Sequence, residues 1–195
     1  MADLVQLIPY QELASGQIGA IRNQVRKALV KQASDELNVP PETLVVRDIL
    51  PQTDLDWGSN TNFATSAVTT EIWTITTHGS NTGYQEVVTS ASTTMAKQRY
   101  VAIFGLRDNR YNAATVPVQS TTLWKIDVGH SIKAIWDGSK LYPYKSEVMG
   151  ICSSAVIIPQ QTYYQIYGYI IAASTASYVS LEGLVVEPRG KIVNP

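Results

Sequence analysis

The chain has 195 residues, which suits one medium domain or a domain with a helical extension. Only 16% of its residues are charged, against roughly 25% in an ordinary soluble domain, and its net charge of −1 leaves the chain as a whole without the basic footprint of a nucleic-acid binder. The single cysteine, Cys152, excludes an intrachain disulfide and a cysteine-based zinc cluster.

Polarity is supplied by Thr, Ser, Asn, Gln and Tyr, side chains that suit strands and wet interfaces. The opening Met1-Ala2-Asp3-Leu4-Val5 lacks the basic leader and apolar run of a signal peptide, and no segment reaches the ~20 apolar residues of a membrane span. The lack of a disulfide favours assembly in a reducing cytoplasm. An outward-facing β-protein with no export address fits a protein that folds in a host cytoplasm and leaves as part of a particle.

Residues 1–15 read as a short arm in which Pro9 disfavours helix. Ser15 is placed to cap a helix over Gln17–Leu37, in which Ile18, Ile21, Val25 and Leu29 form an apolar stripe at helical spacing. Arg22, Arg26, Lys27 and Lys31 lie off that stripe, and Asn38, Pro40 and Pro41 stop the helix. The default reading of this helix is an amphipathic element packed on a sheet. The functional one is contact with an acidic partner: a neighbouring subunit, membrane headgroups or genome, weak in one copy and additive in an array.

Thr43–Leu50 reads as a strand ended by Pro51. From Asp48 to Ala96 there is no Lys or Arg, and this Thr/Ser-rich stretch reads as strands rather than as a low-complexity spacer. Glu71–Thr77 and Tyr84–Thr89 are expected to form a hairpin across the Gly/Asn/Ser-rich 78–83. Further strands are expected at Arg99–Gly105, at Thr122–Val128 and Ser131–Trp136 around a Gly129 turn, and at Val148–Ile158, Tyr163–Ala173 and Tyr178–Glu187. Asp108, Asn109 and Asn112 mark a loop, and Asp137-Gly138 is a strong tight-turn signal. Within Tyr163–Ala173, Tyr163, Gln165, Tyr167, Tyr169 and Ile171 share one face, and Thr162, Tyr164, Ile166, Gly168 and Ile170 the other. One face is expected in the core and the other against a neighbour.

Roughly nine short strands and one helix predict an antiparallel β-sandwich or barrel over 42–195 behind an N-terminal arm and helix over 1–41. The chemistry expected of this chain is sparse. His78 and His130 have no partner at metal-ligand spacing, and Cys152 in an apolar strand reads as a buried small hydrophobe. Asp54 and Asp56 flank Leu55, and paired acids serve in calcium binding or glycoside chemistry; two solvated loop acids are the simpler reading. No nucleophile elbow or phosphate-binding glycine loop occurs, so no catalytic residue, metal ligand, cofactor or small-molecule substrate is expected. Trp73, Trp124 and Trp136 read as core, whereas the run Tyr163, Tyr164, Tyr167 and Tyr169 is too dense to be core throughout.

The segment Ile158-Pro159-Gln160-Gln161-Thr162-Tyr163-Tyr164-Gln165-Ile166-Tyr167-Gly168-Tyr169, the turn Ser174-Thr175-Ala176-Ser177, and Tyr178-Val179-Ser180-Leu181-Glu182-Gly183-Leu184-Val185-Val186-Glu187-Pro188 resemble the closing strands of single jelly-roll capsid and vertex proteins of icosahedral viruses. The resemblance implies an eight-stranded sandwich of two four-stranded sheets, assembly into a shell or spike, and an arm reaching a neighbour; the long helix departs from the simplest members. The expectation is therefore a mainly β, jelly-roll-like virion subunit (capsid, vertex or decoration protein) that contacts copies of itself and other virion proteins. The expected subunit contacts are Ile18, Ile21, Arg22, Val25, Arg26, Leu29, Lys31, Tyr163, Tyr167 and Tyr169. The rival is a receptor- or glycan-binding sandwich that stacks its ligand on Trp57 or on the tyrosine run.

Overall fold

Strands in this chain pair by nesting: the first of eight pairs with the last, the second with the seventh, and so inward to one tight hairpin. The computed structural model describes residues 5–9, 17–60, 63–64, 73–75, 77–78, 82–89, 94–108, 121–137, 148–171 and 177–190. In chain order the elements are β1 (Val5–Pro9), α1 (Gln17–Leu37), a 3-10 turn (Pro41–Thr43), β2 (Leu44–Asp48), α2 (Pro51–Leu55), β3 (Phe63–Ala64), β4 (Thr77–His78), β5 (Gly83–Glu86) and β6 (Tyr100–Asp108). They continue with β7 (Thr121–Val128), β8 (Ser131–Asp137), β9 (Val148–Ile158), β10 (Tyr164–Ile170) and β11 (Val179–Pro188). The nested pairs are β2 with β11, β5 with β10, β6 with β9, and β7 with β8, all antiparallel. Two further pairings, β6 with β11 and β7 with β10, join these ladders into two sheets. The resulting orders, β9-β6-β11-β2 and β5-β10-β7-β8, are those of a jelly roll.

The arm adds a fifth strand. β1 pairs along the outer edge of β9, from Val5 opposite Cys152 to Pro9 opposite Val148, so one sheet has five strands where four were expected. Proline is tolerated there because an edge strand makes ladder bonds on one side only. The hairpin expected between 71–77 and 84–89 does not form among the described residues. β5 pairs with Tyr167–Ile170 within its own sheet, and Thr77–His78 with Phe63–Ala64. Among the described residues the one tight hairpin is β7–β8. Gly129 and His130 both have positive φ, 59° and 61°, the pair of left-handed residues that a two-residue type I′ turn requires. Ser15, Asn109, Asn112 and Gly138 lie outside the described residues.

The core between the sheets is built from alternating strand residues: Val101, Ile103 and Leu106 of β6, Trp124 and Ile126 of β7, Ala134 and Trp136 of β8, Ile166 and Ile170 of β10, and Leu181 and Val185 of β11. The Trp136 indole donates to the Gly150 carbonyl at 3.1 Å and ties β8 to β9 in the facing sheet. The other face of the larger sheet is apolar too. Tyr100, Ala102 and Phe104 of β6 and Leu184 and Val186 of β11 are buried under α1, where Leu29 and Ala33 meet them with no exposed surface of their own. The helix stops at Asn38, whose φ of 52° is the left-handed conformation of a helix C-terminus. Gly183 sits at a register shift where β11 crosses β6, and a Cβ there would lie 2.3 Å from the Ala102 carbonyl oxygen and 2.4 Å from Ile49 Cδ1. Backbone on one side leaves no room to relax. Gly183→Ala is therefore expected to lose about 2–3 kcal/mol of stability, read from the midpoint of urea unfolding.

Candidate functional site

Two places gather polar or aromatic side chains, and only one of them faces outward. The inward one contains Asp54. The sequence places Asp54 and Asp56 in a solvated loop; instead, residues 51–55 form α2, and Asp54 is buried with its side chain fully covered. Its carboxylate takes two hydrogen bonds from Arg47, at 2.6 and 2.7 Å, and one from the Leu50 amide at 2.7 Å. Arg99 lies 3.2 Å from it. Glu187 of β11, equally covered, bridges the same two arginines, at 3.0 Å from Arg47 and 3.2 Å from Arg99. Arg99 also donates to the Thr53 carbonyl at 2.7 Å. Two cations and two anions cancel, and each is bonded more than once, the condition under which buried charge is tolerated. Hydrogen bonding to Asp54 raises the Arg47 pKa above its ordinary value despite partial burial. Asp56 caps the C-terminus of α2 in the left-handed conformation, φ 47°. Among the described residues no group of three His, Cys, Asp or Glu side chains is placed to hold a metal ion.

Trp57, considered above as an exposed stacking platform, is fully buried. Its indole donates to the Trp73 carbonyl at 2.7 Å, and its ring lies nearly parallel to Trp124 with centroids 5.5 Å apart. The residue that follows α2 is turned into the core, which the sequence pattern did not signal. Cys152 is buried, as expected for a small hydrophobe.

The outward place is the exposed face of the β5-β10-β7-β8 sheet. The alternation expected along β10 is observed except at Gln165: Tyr164, Ile166, Gly168 and Ile170 are buried and Tyr163, Tyr167, Tyr169 and Ile171 retain exposure, whereas Gln165, expected on the outer face, is fully buried and donates to the Val88 carbonyl at 3.1 Å. Burial raises the Tyr164 pKa. Cross-strand register sets two rows on the outer face, Tyr84–Tyr169–Leu123–Asp137 and Glu86–Tyr167–Lys125–Ile135. The Lys125 ammonium lies 4.1 Å from the Tyr84 ring centre and 4.3 Å from that of Tyr167, a double cation–π contact. Tyr84 and Tyr169 meet edge to face at 5.1 Å. A register shift between β7 and β8 sets Ile132 opposite Asp127, so it joins Ile135 on the outside; the two are 42% and 39% exposed. Tyr84 at 40% and Ile171 at 52% complete a continuous aromatic and aliphatic face. Burial, and then a hydrogen bond shared with Tyr163, raise the Tyr167 pKa. Tyr163 stacks on His130 of the β7–β8 turn, with ring centres 4.1 Å apart.

Of the residues singled out in the sequence, Tyr163, Tyr167 and Tyr169 therefore lie on this face. Tyr84, Leu123, Lys125, Ile132 and Ile135, which complete it, were not singled out. The helix residues lie elsewhere. Leu29 is fully buried against its own sheet, Ile21 and Val25 pack partly against the same cluster, and Ile18 packs toward Met149 and Ile151. Arg22 pairs with Asp48 and Lys31 with Asp35, within the chain. No protein-family model, no curated protein and no solved structure matches this chain.

Removing one carboxylate from the buried cluster leaves two arginines facing one acid. Asp54→Ala is expected to cost roughly 3–5 kcal/mol, measured by denaturant unfolding, with a smaller loss for Asp54→Asn, which keeps the shape and part of the hydrogen bonding.

Proposed function

We propose that this chain is a structural subunit of a virion (a capsid, vertex or decoration protein) that assembles with copies of itself and with other virion proteins in the host cytoplasm. The observation that carries this reading is the exposed aromatic and aliphatic residues on the outer face of the β5-β10-β7-β8 sheet. A sheet whose inner face fills the core needs nothing apolar outside, yet Tyr84, Leu123, Ile132, Ile135, Tyr169 and Ile171 stand there together. Contiguous apolar surface of this kind marks contact with another macromolecule. Tyrosines supply large rigid contact area at small entropic cost, and the charges at its borders, Glu86, Asp127 and Asp137, are suited to a polar rim. The jelly-roll strand order supports the reading by analogy and does not carry it, because that fold serves many functions. The reading is non-catalytic: Asp54, the acid with the strongest claim to chemistry, is bound to Arg47 and Arg99 in the interior.

A receptor- or glycan-binding role is the second reading, favoured by the exposed Tyr84 and Tyr169 rings. Lys125 weighs against it, since its ammonium already lies against the rings of Tyr84 and Tyr167. Sedimentation and electron microscopy of the full chain separate the two. The assembly reading expects closed oligomers, rings or shells. It expects Ile135→Arg and Tyr169→Arg to keep the strand signal in circular dichroism while weakening association by about 2 kcal/mol or more, roughly thirtyfold. A monomer at all concentrations that binds a saccharide through Tyr84 would replace it with the second reading.

A further inference from the structure

The edge of the larger sheet farthest from β1 carries a site of its own. β2 pairs with β11 on one side, and among the described residues no strand pairs with its other side. An edge of this kind offers unpaired N–H and C=O groups to an added strand. Alongside it runs an open groove of about 490 Å³, walled by Arg26, Lys27 and Val30 of α1 and by Leu44 and Val46 of β2, with Glu42 also in its wall. Alternation along β2 explains the wall: Arg47 turns inward to Asp54 and Glu187, whereas Leu44 and Val46 turn to the helix side. The cations are the second observation. Arg22 and Lys31 have acidic partners in the chain, but among the described residues no acidic side chain pairs with Arg26 or Lys27, and both are exposed.

We propose that β2 and this groove receive an extended, acidic strand from a partner protein by β-strand addition. Backbone hydrogen bonds to β2 would give the affinity, and alternate side chains the selectivity. Side chains on the helix side reach Val30, Leu44 and Val46, so β-branched residues are favoured; an aspartate or glutamate among them meets Arg26 and Lys27. Glu42 opposes an acid placed next to it, which helps fix the register. The site lies on the opposite sheet from the proposed assembly face and stands without that reading.

The test uses the full chain and two capped seven-residue peptides, valine–threonine–aspartate–threonine–valine–threonine–aspartate and its counterpart with lysine for each aspartate, in which valine and the charged residue share one face of the strand. Amide exchange at Leu44–Asp48 should slow with the aspartate peptide. The double variant R26E/K27E, at two exposed positions, should keep its circular dichroism, bind that peptide about tenfold or more weakly, and gain affinity for the lysine peptide. Equal binding of the two peptides, no slowing at Leu44–Asp48, or slowing confined to another strand edge would overturn the proposal. Self-association of the unmodified chain that R26E/K27E abolishes would assign the edge to a second copy instead of an acidic partner, and would overturn it as well.

Discussion

The larger sheet is apolar on both faces, and the rest of the architecture follows from that constraint. Along β6, Val101, Ile103 and Leu106 point inward and Tyr100, Ala102 and Phe104 outward; along β11, Val185 opposes Leu184 and Val186 in the same way. A sheet of this composition needs a cover on each side. The β5-β10-β7-β8 sheet covers one face and α1 covers the other. Leu29, fully buried there, contributes roughly 1.5–3 kcal/mol by its transfer from water alone. The stripe Ile21, Val25 and Leu29 thus belongs to the chain's own core, and the helix is left with a polar outer side. Among the described residues the second sheet has one cover only. Its outer face is nevertheless aromatic and aliphatic, and that asymmetry is what points to a partner there.

Among the described residues the interior holds one ion cluster, and its position explains why charge is tolerated at that depth. Arg47 of β2, Asp54 of α2, Arg99 just before β6, and Glu187 near the end of β11 come from four segments that converge at one end of the sandwich. Each carboxylate bridges both arginines, so every charge is compensated without relying on water. Neutralised pairs of this kind add little stability over a well-packed apolar substitute, but they resist the loss of any one member. The cluster therefore fixes how β2, α2 and β11 meet, and it takes the most plausible catalytic acid out of contact with solvent.

Local pattern made part of this legible in the sequence. The two-sided alternation of Tyr163–Ile171, Gln165 excepted, the limits of β9, and the turn at Gly129 all depend on residues within a few positions of one another, and all appear in the structure. The features that escaped depend on distant pairing. A nested strand order sends β5 to β10, about eighty positions on, so the local Gly/Asn/Ser signal at 78–83 suggested a hairpin that nesting excludes. The ion cluster joins residues up to 140 positions apart, and neither Arg99 nor Glu187 carries a local mark of it. The burial of Trp57, which the glycan-binding alternative needs exposed, is not legible because α2, a five-residue helix opened by Pro51, has too little periodicity to be seen. On the outer face, Leu123 and Lys125 lie in the strand expected at Thr122–Val128. Their juxtaposition with Tyr84 and Tyr169 required the register of three strands.

The claim that joins these findings is that copies meet through the smaller sheet while the helix serves its own chain. Amide hydrogen exchange of the full chain, compared between dilute and concentrated solution, tests it most directly. The account predicts added protection on concentration at Gly83–Glu86, Thr121–Asp137 and Tyr164–Ile170, with none gained along Gln17–Leu37. Protection gained along the helix instead, or no concentration dependence anywhere, would contradict it.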